Sequence, residues 1–485
     1  MTTISVSNQT QLLSVLKTVK AGDTIQLAAG NYGSISLNGS KGSGSYLKYA
    51  DEVKIVSASA TDQAVIEKLS LIGVNHLTFE NIKFDYTAAM AESDVILPVR
   101  VGASQSITFR GAVFDGENVN GYGVASGIKF SEGKDILLEN STILNYRKGI
   151  ESWAVDGLTI QNNKIQGISY DGMVSGHVQG LTIRGNTITM NSNPAEDIHR
   201  DVIQIYNQGS SAPSSDILIQ GNTLISADIK THGIYLGNYD AKATGSLSEF
   251  YADVVIRDNK ITSIQKLGIA VGQADGVTIT GNTLIQHDAA GNNPRPVQTP
   301  TVLVAQDSVN VAISGNILNT APLAADDAWQ KALGAGNDWN VSGNSIVGLD
   351  WKIGDPVGGP VVDVQGNGVA DEFRFQGTKV TADRVDVVSD AYFGEGDKVV
   401  LIHYEPNTFK GVPQGNKLDV NSTGDYVKIN SMTDLQELAT TSPKVSAEVS
   451  GDTLTLHITQ THGVQDIVLE GLGQDYQSTF NASQF

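Results

Sequence analysis

Leu181-Thr-Ile183-Arg-Gly-Asn186-Thr-Ile188 returns further along the chain as Val277-Thr-Ile279-Thr-Gly-Asn282-Thr-Leu284. An apolar–polar–apolar triplet leads into a turn containing Gly-Asn, and another apolar residue follows. Full copies centre on Asn163, Asn186, Asn222, Asn259, Asn282, Asn316 and Asn344, and degenerate copies precede them at Leu77–Phe84, Ile107–Phe114 and Ile136–Ile143. The shortest spacing is 23 residues, from 163 to 186 and again from 259 to 282, inside the range at which a recurring phrase marks a solenoid. The triplets are rich in Val, Ile and Thr, the period-2 signature of a half-buried strand, whereas helical repeats would space their apolar residues by three and four. Strands so short and one-sided cannot bury their own apolar face, so successive copies must stack. The phrase therefore predicts an all-β, right-handed parallel β-helix of ten or more coils. Asn tolerates the left-handed backbone conformation, and its amide can bond to equivalents above and below, so the Asn set reads as a structural ladder.

A solenoid grows in one dimension, which lets 485 residues fold without a single oversized core. Gly at 51 residues and aromatics at 6% fit a turn-rich β-structure. The net charge of −20 argues against nucleic acid and anionic membranes as partners. It also repels an acidic polysaccharide unless a cationic groove or a bound metal reverses the sign locally. Cysteine is absent, which removes disulfides, thiolate metal sites and thiol nucleophiles. The opening Met1-Thr-Thr-Ile-Ser-Val-Ser shows neither the basic nor the apolar region of a secretory signal, and no apolar run is long enough to span a membrane.

Residues Ser7 to Val19 place Leu12, Leu13, Val15, Leu16 and Val19 on a helical period, as expected of an amphipathic helix capping the open end of the stack. The phrase that follows, Ala21-Gly-Asp-Thr-Ile-Gln-Leu-Ala-Ala-Gly-Asn-Tyr32, resembles the opening of β-helix polysaccharide lyases of the chondroitinase-B and alginate-lyase type. The Asn phrase ends at Ile346, and Gly358-Gly-Pro360 marks a boundary between a β-helix over residues 1–357 and a β-rich C-terminal domain over 361–485. The latter carries Arg384–Asp390, Phe393–Ile402, Asp452–Ile458 and Asp466–Leu472. It resembles the C-terminal regions of proteins exported by type I transporters, rhizobial exopolysaccharide glycanases among them, although tandem Gly-Gly-x-Gly-x-Asp calcium repeats are missing. That resemblance implies a secreted bacterial protein whose export signal is C-terminal, with calcium as the one cofactor to consider. With both solenoid ends capped, a monomer is expected.

Equivalent residues of successive coils stack about 4.8 Å apart in a parallel β-helix, so aligning repeats predicts neighbours. The strands before the Asn phrases align as Lys148-Gly-Ile-Glu151, Asp171-Gly-Met-Val174, Asp201-Val-Ile-Gln204, His232-Gly-Ile-Tyr235 and Leu267-Gly-Ile-Ala270. One column reads Lys148, Asp171, Asp201, His232. The next outward column reads Glu151, Val174, Gln204, Tyr235, and the preceding one Arg147, Tyr170, Arg200, Thr231, Lys266. The long spacings on these coils leave the segments Asn191–Asp197, Gln208–Ser215 and Asn238–Gly245 to wall a groove.

Asp171 and Asp201 one strand apart are too close for an inverting hydrolase and permit a retaining one. Such a pair raises one pKa or captures a cation, Lys148, Arg200 or Ca²⁺. The same patch suits β-elimination on a uronic acid, where the carboxylate must be neutralised before a base removes the C5 proton. Candidate catalytic residues are Lys148, Asp171, Arg200, Asp201, His232 and Tyr235. Arg147, Glu151, Tyr170, His199, Gln204, Lys230 and Lys266 are candidates for holding substrate. Acid and base remain undivided among His232, Tyr235, Lys148, Arg200 and Lys266.

His199-Arg-Asp201-Val-Ile-Gln204 resembles the His-x-Asp-x-Ile-Gln phrase of several β-helix carbohydrate-active proteins. Tyr170-Asp-Gly-Met173-Val-Ser175, followed by Leu181-Thr-Ile-Arg184, is similar to the catalytic coil of mannuronan C-5-epimerases. Met173 and Ser175 stand where that family has Asp and His, so the epimerase set is broken and only Tyr170 is matched, with Asp171 and His177 in shifted positions. The resemblances together imply an extracellular polysaccharide lyase acting on a uronate-containing exopolysaccharide or an alginate-like polymer. The alternatives are a glycoside hydrolase using Asp171 and Asp201, a C-5-epimerase, and a non-catalytic exported glycan-binding protein.

Overall fold

Residues 1–40, 46–86, 97–191, 198–209, 212–226, 231–286, most of 299–325 and 339–346, and separate segments between 372 and 476, are described by a computed structural model. Two compact units result, Met1–Ser342 and Gly343–Phe485. In the first, three long sheets of 13, 11 and 12 strands run side by side, each built by adding the corresponding strand of the next coil. The chain visits the three sheets in turn, and every pairing within them is parallel, as in Leu158↔Leu181 and Leu181↔Ile217. This is a parallel β-helix. The apolar positions of the quoted triplet form two inner columns, Leu158, Leu181, Ile217, Val254, Val277 and Val311 beside Ile160, Ile183, Ile219, Ile256, Ile279 and Ile313, all buried. In the earlier coils the inner positions are aromatic, and Phe79 stacks on Phe109 and Phe84 on Phe114 at 5.3 and 4.7 Å between ring centroids.

The Asn ladder runs from Asn163 to Asn316. Each side-chain Nδ2 donates to Oδ1 of the next Asn at 2.9–3.0 Å. That Oδ1 also accepts the backbone N–H of the previous Asn. Nδ2 further donates to a carbonyl of the preceding coil, as Asn222 does to Ile183. The structure separates two jobs that the sequence assigned to one residue. The left-handed conformation falls on the residue before each ladder Asn, such as Gly185, Gly221, Asp258 and Gly281, while the ladder asparagines have negative φ. Asn81 and Asn140 of the degenerate copies are therefore turn residues with φ of 54° and 50°. The ladder position on those coils is held by Ile82 and Ser141, and Ser141 Oγ still accepts the N–H of Ala112 at 3.1 Å.

A helix over Gln9–Val15 opens the stack, capped by Asn8, whose side chain accepts the N–H of Gln11. Leu12, Leu16 and Val19 are buried against the end of the solenoid and Leu13 and Val15 half-buried. The regular helix ends at Val15 because the N–H groups of Lys17 and Thr18 tighten onto carbonyls three residues back, although the Val19 N–H still reaches the Val15 carbonyl.

In the second unit, strands Glu372–Gln376, Lys398–Tyr404 and Asp425–Ile429 form one sheet. Arg384–Ser389, Gly463–Glu470, Thr453–Gln460 and Val445–Ser450 form another. Helix Met432–Thr441 buries Leu435 and Leu438 in a core with Val399, Leu401, Val427, Leu456 and Ile467. Gly358–Pro360 lies outside the described residues.

Candidate functional site

The sequence motif Gly-Ile on successive coils has a steric cause. A Cβ on Gly149 would stand 2.5 Å from the carbonyl oxygen of Gly172, one on Gly172 2.4 Å from that of Val202, and one on Gly233 2.2 Å from that of Gly268. Backbones pass closely at these glycines, while Val202 fills the equivalent place on the Asp201 coil, and the flanking positions stay in register. Lys148 pairs with Asp171 and Asp201 with His232. The Asp201 N–H donates to Asp171 Oδ1 at 2.9 Å, joining the two halves of the column. The outward column Glu151, Val174, Gln204, Tyr235 forms in the same register.

Asp201 is fully buried. Its Oδ1 lies 2.9 Å from His232 Nδ1, and Oδ2 lies 3.5 Å from His199 Nε2. At that length the His199 contact is one of charge, and Oδ2 has no hydrogen-bond partner among the described residues. The two imidazoles lie nearly parallel with centroids 5.6 Å apart, and the Tyr235 ring is 5.5 Å from that of His232. Asp201 holds the His199 pKa up, chiefly through their direct contact. Burial first, and then the neighbouring Asp201 charge, push Asp171 up to about 8, against the opposing effect of Lys148.

Arg147 and Lys148 flank the ring of Tyr170 at 4.7 and 5.4 Å. Upstream, the outward column continues through Lys129 to Arg100, and Lys129 Nζ reaches Glu151 at 3.8 Å. Four cations thus share one sheet face of a chain whose net charge is −20. Lys129 and Arg100 were missed in the sequence, although carrying the same alignment two coils upstream of Lys148 finds them.

Arg200 corrects an expectation. It is completely buried, with Nε donating to the Ser169 carbonyl at 3.1 Å and Nη1 directed at that of Ile198. It is enclosed by protein, where the alignment of coils had placed it on the open face. Met173 and Ser175, the positions that replace the epimerase Asp and His, face the interior, where Ser152 Oγ donates to Ser175 Oγ at 2.7 Å. His177 is buried on the turn after that strand. Lys266 is exposed, and its backbone carbonyl accepts the Thr301 N–H. Lys230 lies outside the described residues, as do 192–197 and 210–211 of the expected walls. The segment from Asn238 is no open loop: Tyr239–Thr244 is a helix capped by Asn238 and closed by left-handed Gly245. Among the described residues no group of three or more carboxylates and imidazoles is arranged to hold a metal ion.

The coils place the chain in a known architectural class. A family model described as "Right handed beta helix region" matches residues 42–223, and the fold is a right-handed parallel β-helix. No curated protein sequence matches. Among solved structures, similarity is found to the Dettilon tailspike protein, at 14% identity over 67% of this chain and 64% of that one, with a TM-score of 0.39. The A-module of the Azotobacter vinelandii mannuronan C-5 epimerase AlgE6 follows at 16% identity, 70% and 89% coverage and a TM-score of 0.37. A PL6 family polysaccharide lyase from Pseudopedobacter saltans has 13% identity, 72% and 94% coverage and a TM-score of 0.37. The chain thus spans under two thirds of the tailspike's length.

Proposed function

We propose that the chain is an exported enzyme that cleaves a uronate-containing polysaccharide by β-elimination on the face carrying Lys148, Asp171, Asp201 and His232. The observation that carries this reading is the Asp201–His232 pair set beside four cations. A buried carboxylate that accepts the Nδ1–H of an imidazole fixes its tautomer and leaves Nε2 as a proton acceptor. Arg100, Lys129, Arg147 and Lys148 supply the positive potential that a polyuronate needs on an acidic protein.

In the proposed step His199, whose ring lies 5.6 Å from that of His232 and whose pKa is raised by Asp201, neutralises the uronate carboxylate and so acidifies the C5 proton, while Lys148, three coils away, meets a neighbouring uronate. His232 Nε2 takes that proton, the C5–H electrons form the C4=C5 double bond, and the C4–O bond breaks. Tyr235 donates its phenolic proton to the leaving oxygen, and proton return from His232 through solvent restores both groups. Asp171 and Asp201 support the hydrolase alternative poorly, because Asp201 is fully buried and bonded to His232 and so has no path to an anomeric carbon. Calcium is an optional addition to this scheme, since His199 already performs the neutralisation.

Incubating the full chain with polymannuronate, polyguluronate and mixed exopolysaccharides tests the proposal. Appearance of the ultraviolet-absorbing unsaturated uronate, lost in His232→Ala, is the expected result. New reducing ends without unsaturation would replace it with hydrolysis, and C5 proton exchange without cleavage with epimerisation. Binding without any product would indicate a non-catalytic glycan-binding protein.

A further inference from the structure

The 11-stranded sheet that holds the Lys148–His232 column also carries an aromatic pair that the proposed chemistry does not use. Ser152 and Ser175 face inward and are buried, as is Ile205 on the next coil, so the following residues, Trp153, Gly176 and Tyr206, face outward. Trp153 and Tyr206 are two coils apart, yet their ring centroids are 5.4 Å from each other at an interplanar angle of 52°. Gly176 between them makes this approach possible. A Cβ there would stand 2.3 Å from Trp153 Cζ3 and 2.6 Å from Cε3, so the indole lies directly over the glycine.

A third ring fixes the arrangement. His177 stands edge-on to Trp153, with centroids 4.4 Å apart at 76°. Its Nδ1 meets the carbonyl of Ala212 at 3.0 Å, and its Nε2 is buried without a hydrogen-bond partner among the described residues. An imidazole leaving a buried nitrogen unpaired against an indole is an arrangement that costs stability. Its effect is to hold the indole flat across Gly176. Trp153 and Tyr206 themselves remain half-exposed, and flat aromatic faces joined to a polar edge suit a ring with one apolar C–H face and a rim of hydroxyls.

We propose that Trp153 and Tyr206 form a stacking subsite for a pyranose ring of the bound polysaccharide, separate from the reacting linkage. The inference rests on the proposed function in that it takes the same polymer to cross both places. Tyr206 follows Asp201 by five residues, roughly 16 Å along an extended strand. A polymer engaging both places spans several sugar units, and short substrates that reach only His232 forfeit the stacking interaction. Binding energy gathered at a remote ring is available to orient the reacting one.

The test uses the full chain with His232→Ala as background, so that saccharides bind without being consumed, and polymannuronate, polyguluronate and cellulose-derived hexasaccharides as probes. Calorimetry and intrinsic tryptophan fluorescence read the binding. At least one probe is expected to bind with a change in tryptophan emission. Trp153→Ala is expected to weaken it by about tenfold or more, Gly176→Ala to do the same by displacing the indole, and Trp153→Phe to retain it within about threefold. Thermal unfolding of each variant separates loss of the subsite from loss of the fold. Binding that Trp153→Ala leaves unchanged, or no binding of any probe, overturns the subsite. Trp153-dependent binding by a wild-type chain that forms no product would keep the subsite and discard the lyase reading. Turnover insensitive to Trp153 in both kcat and KM would do the reverse.

Discussion

Two stacked columns run along this solenoid, and they use the same geometry to opposite ends. From Asn163 to Asn316 every rung is the same residue, and each side chain is satisfied by the rungs on either side and by the coil behind it. From Lys148 to His232 no two charges are alike in surroundings: a lysine, a largely protonated aspartate, a buried aspartate with one oxygen unpaired, and a histidine oriented by it. Repetition of one residue at about 4.8 Å yields a ladder whose hydrogen bonds close on themselves. Unlike residues in the same register leave charge and hydrogen-bonding capacity directed outward, which is what chemistry requires.

The contrast is broken most severely at His232. Replacing it with glutamine, whose amide can still donate to the buried Asp201 Oδ1, is expected to lower turnover of the acidic polysaccharide by about a thousandfold and to leave the thermal midpoint near that of the parent, whereas alanine would also strand that carboxylate. Asn222→Ala is expected to do the opposite. It removes the side-chain partner of the Ile183 carbonyl and of the Asn186 N–H and Nδ2–H, and one of the two donors to Asn259 Oδ1, a loss of about 3 kcal/mol in chemical denaturation, with turnover per folded molecule retained. Equal loss of activity and stability in both variants would erase the distinction between the columns.

Asp171→Asn sharpens it further. The carboxyl pKa is raised to about 8 in the folded chain against about 3.9 when unfolded. The folded state therefore holds a proton that the unfolded state releases, and the aspartate lowers stability progressively as pH rises from about 4 to about 8. An asparagine keeps the acceptor for the Asp201 N–H without that penalty. The variant is expected to gain stability over the parent progressively from about pH 4, where the two are equal, to about pH 8, by several kcal/mol in all at about 1.4 kcal/mol per pH unit, with unfolding curves across that range as the measurement. The smallest effect is expected from Lys129→Gln, a threefold to tenfold rise in KM with kcat unchanged and a shallower dependence of KM on salt.

Much of the first column was legible in the sequence because a ladder rung must be the same residue at each coil, and identity is what a linear reading detects. The site column was legible only through its frame. Lys148, Asp171, Asp201 and His232 share no chemistry, and it was the adjoining Gly-Ile, with Val-Ile in its place after Asp201, that aligned them. Register alone did not say which way a side chain turns. Arg200 stands next to Asp201 and looked equally available, yet its guanidinium is turned inward to backbone carbonyls. Trp153 and Tyr206 sit 53 residues apart with nothing in common locally, and only the empty place at Gly176 brings their rings together.

The amino-acid order by itself determined the coil, its stacking direction of growth and the vertical neighbours, because short strands of period 2 recurring at a coil length have one way to hide their apolar faces. Burial, tautomer and charge state were decided by the tertiary structure alone. Those depend on how much water and which charges each group meets once the coils close, as when burial and the neighbouring Asp201 charge raise the Asp171 pKa.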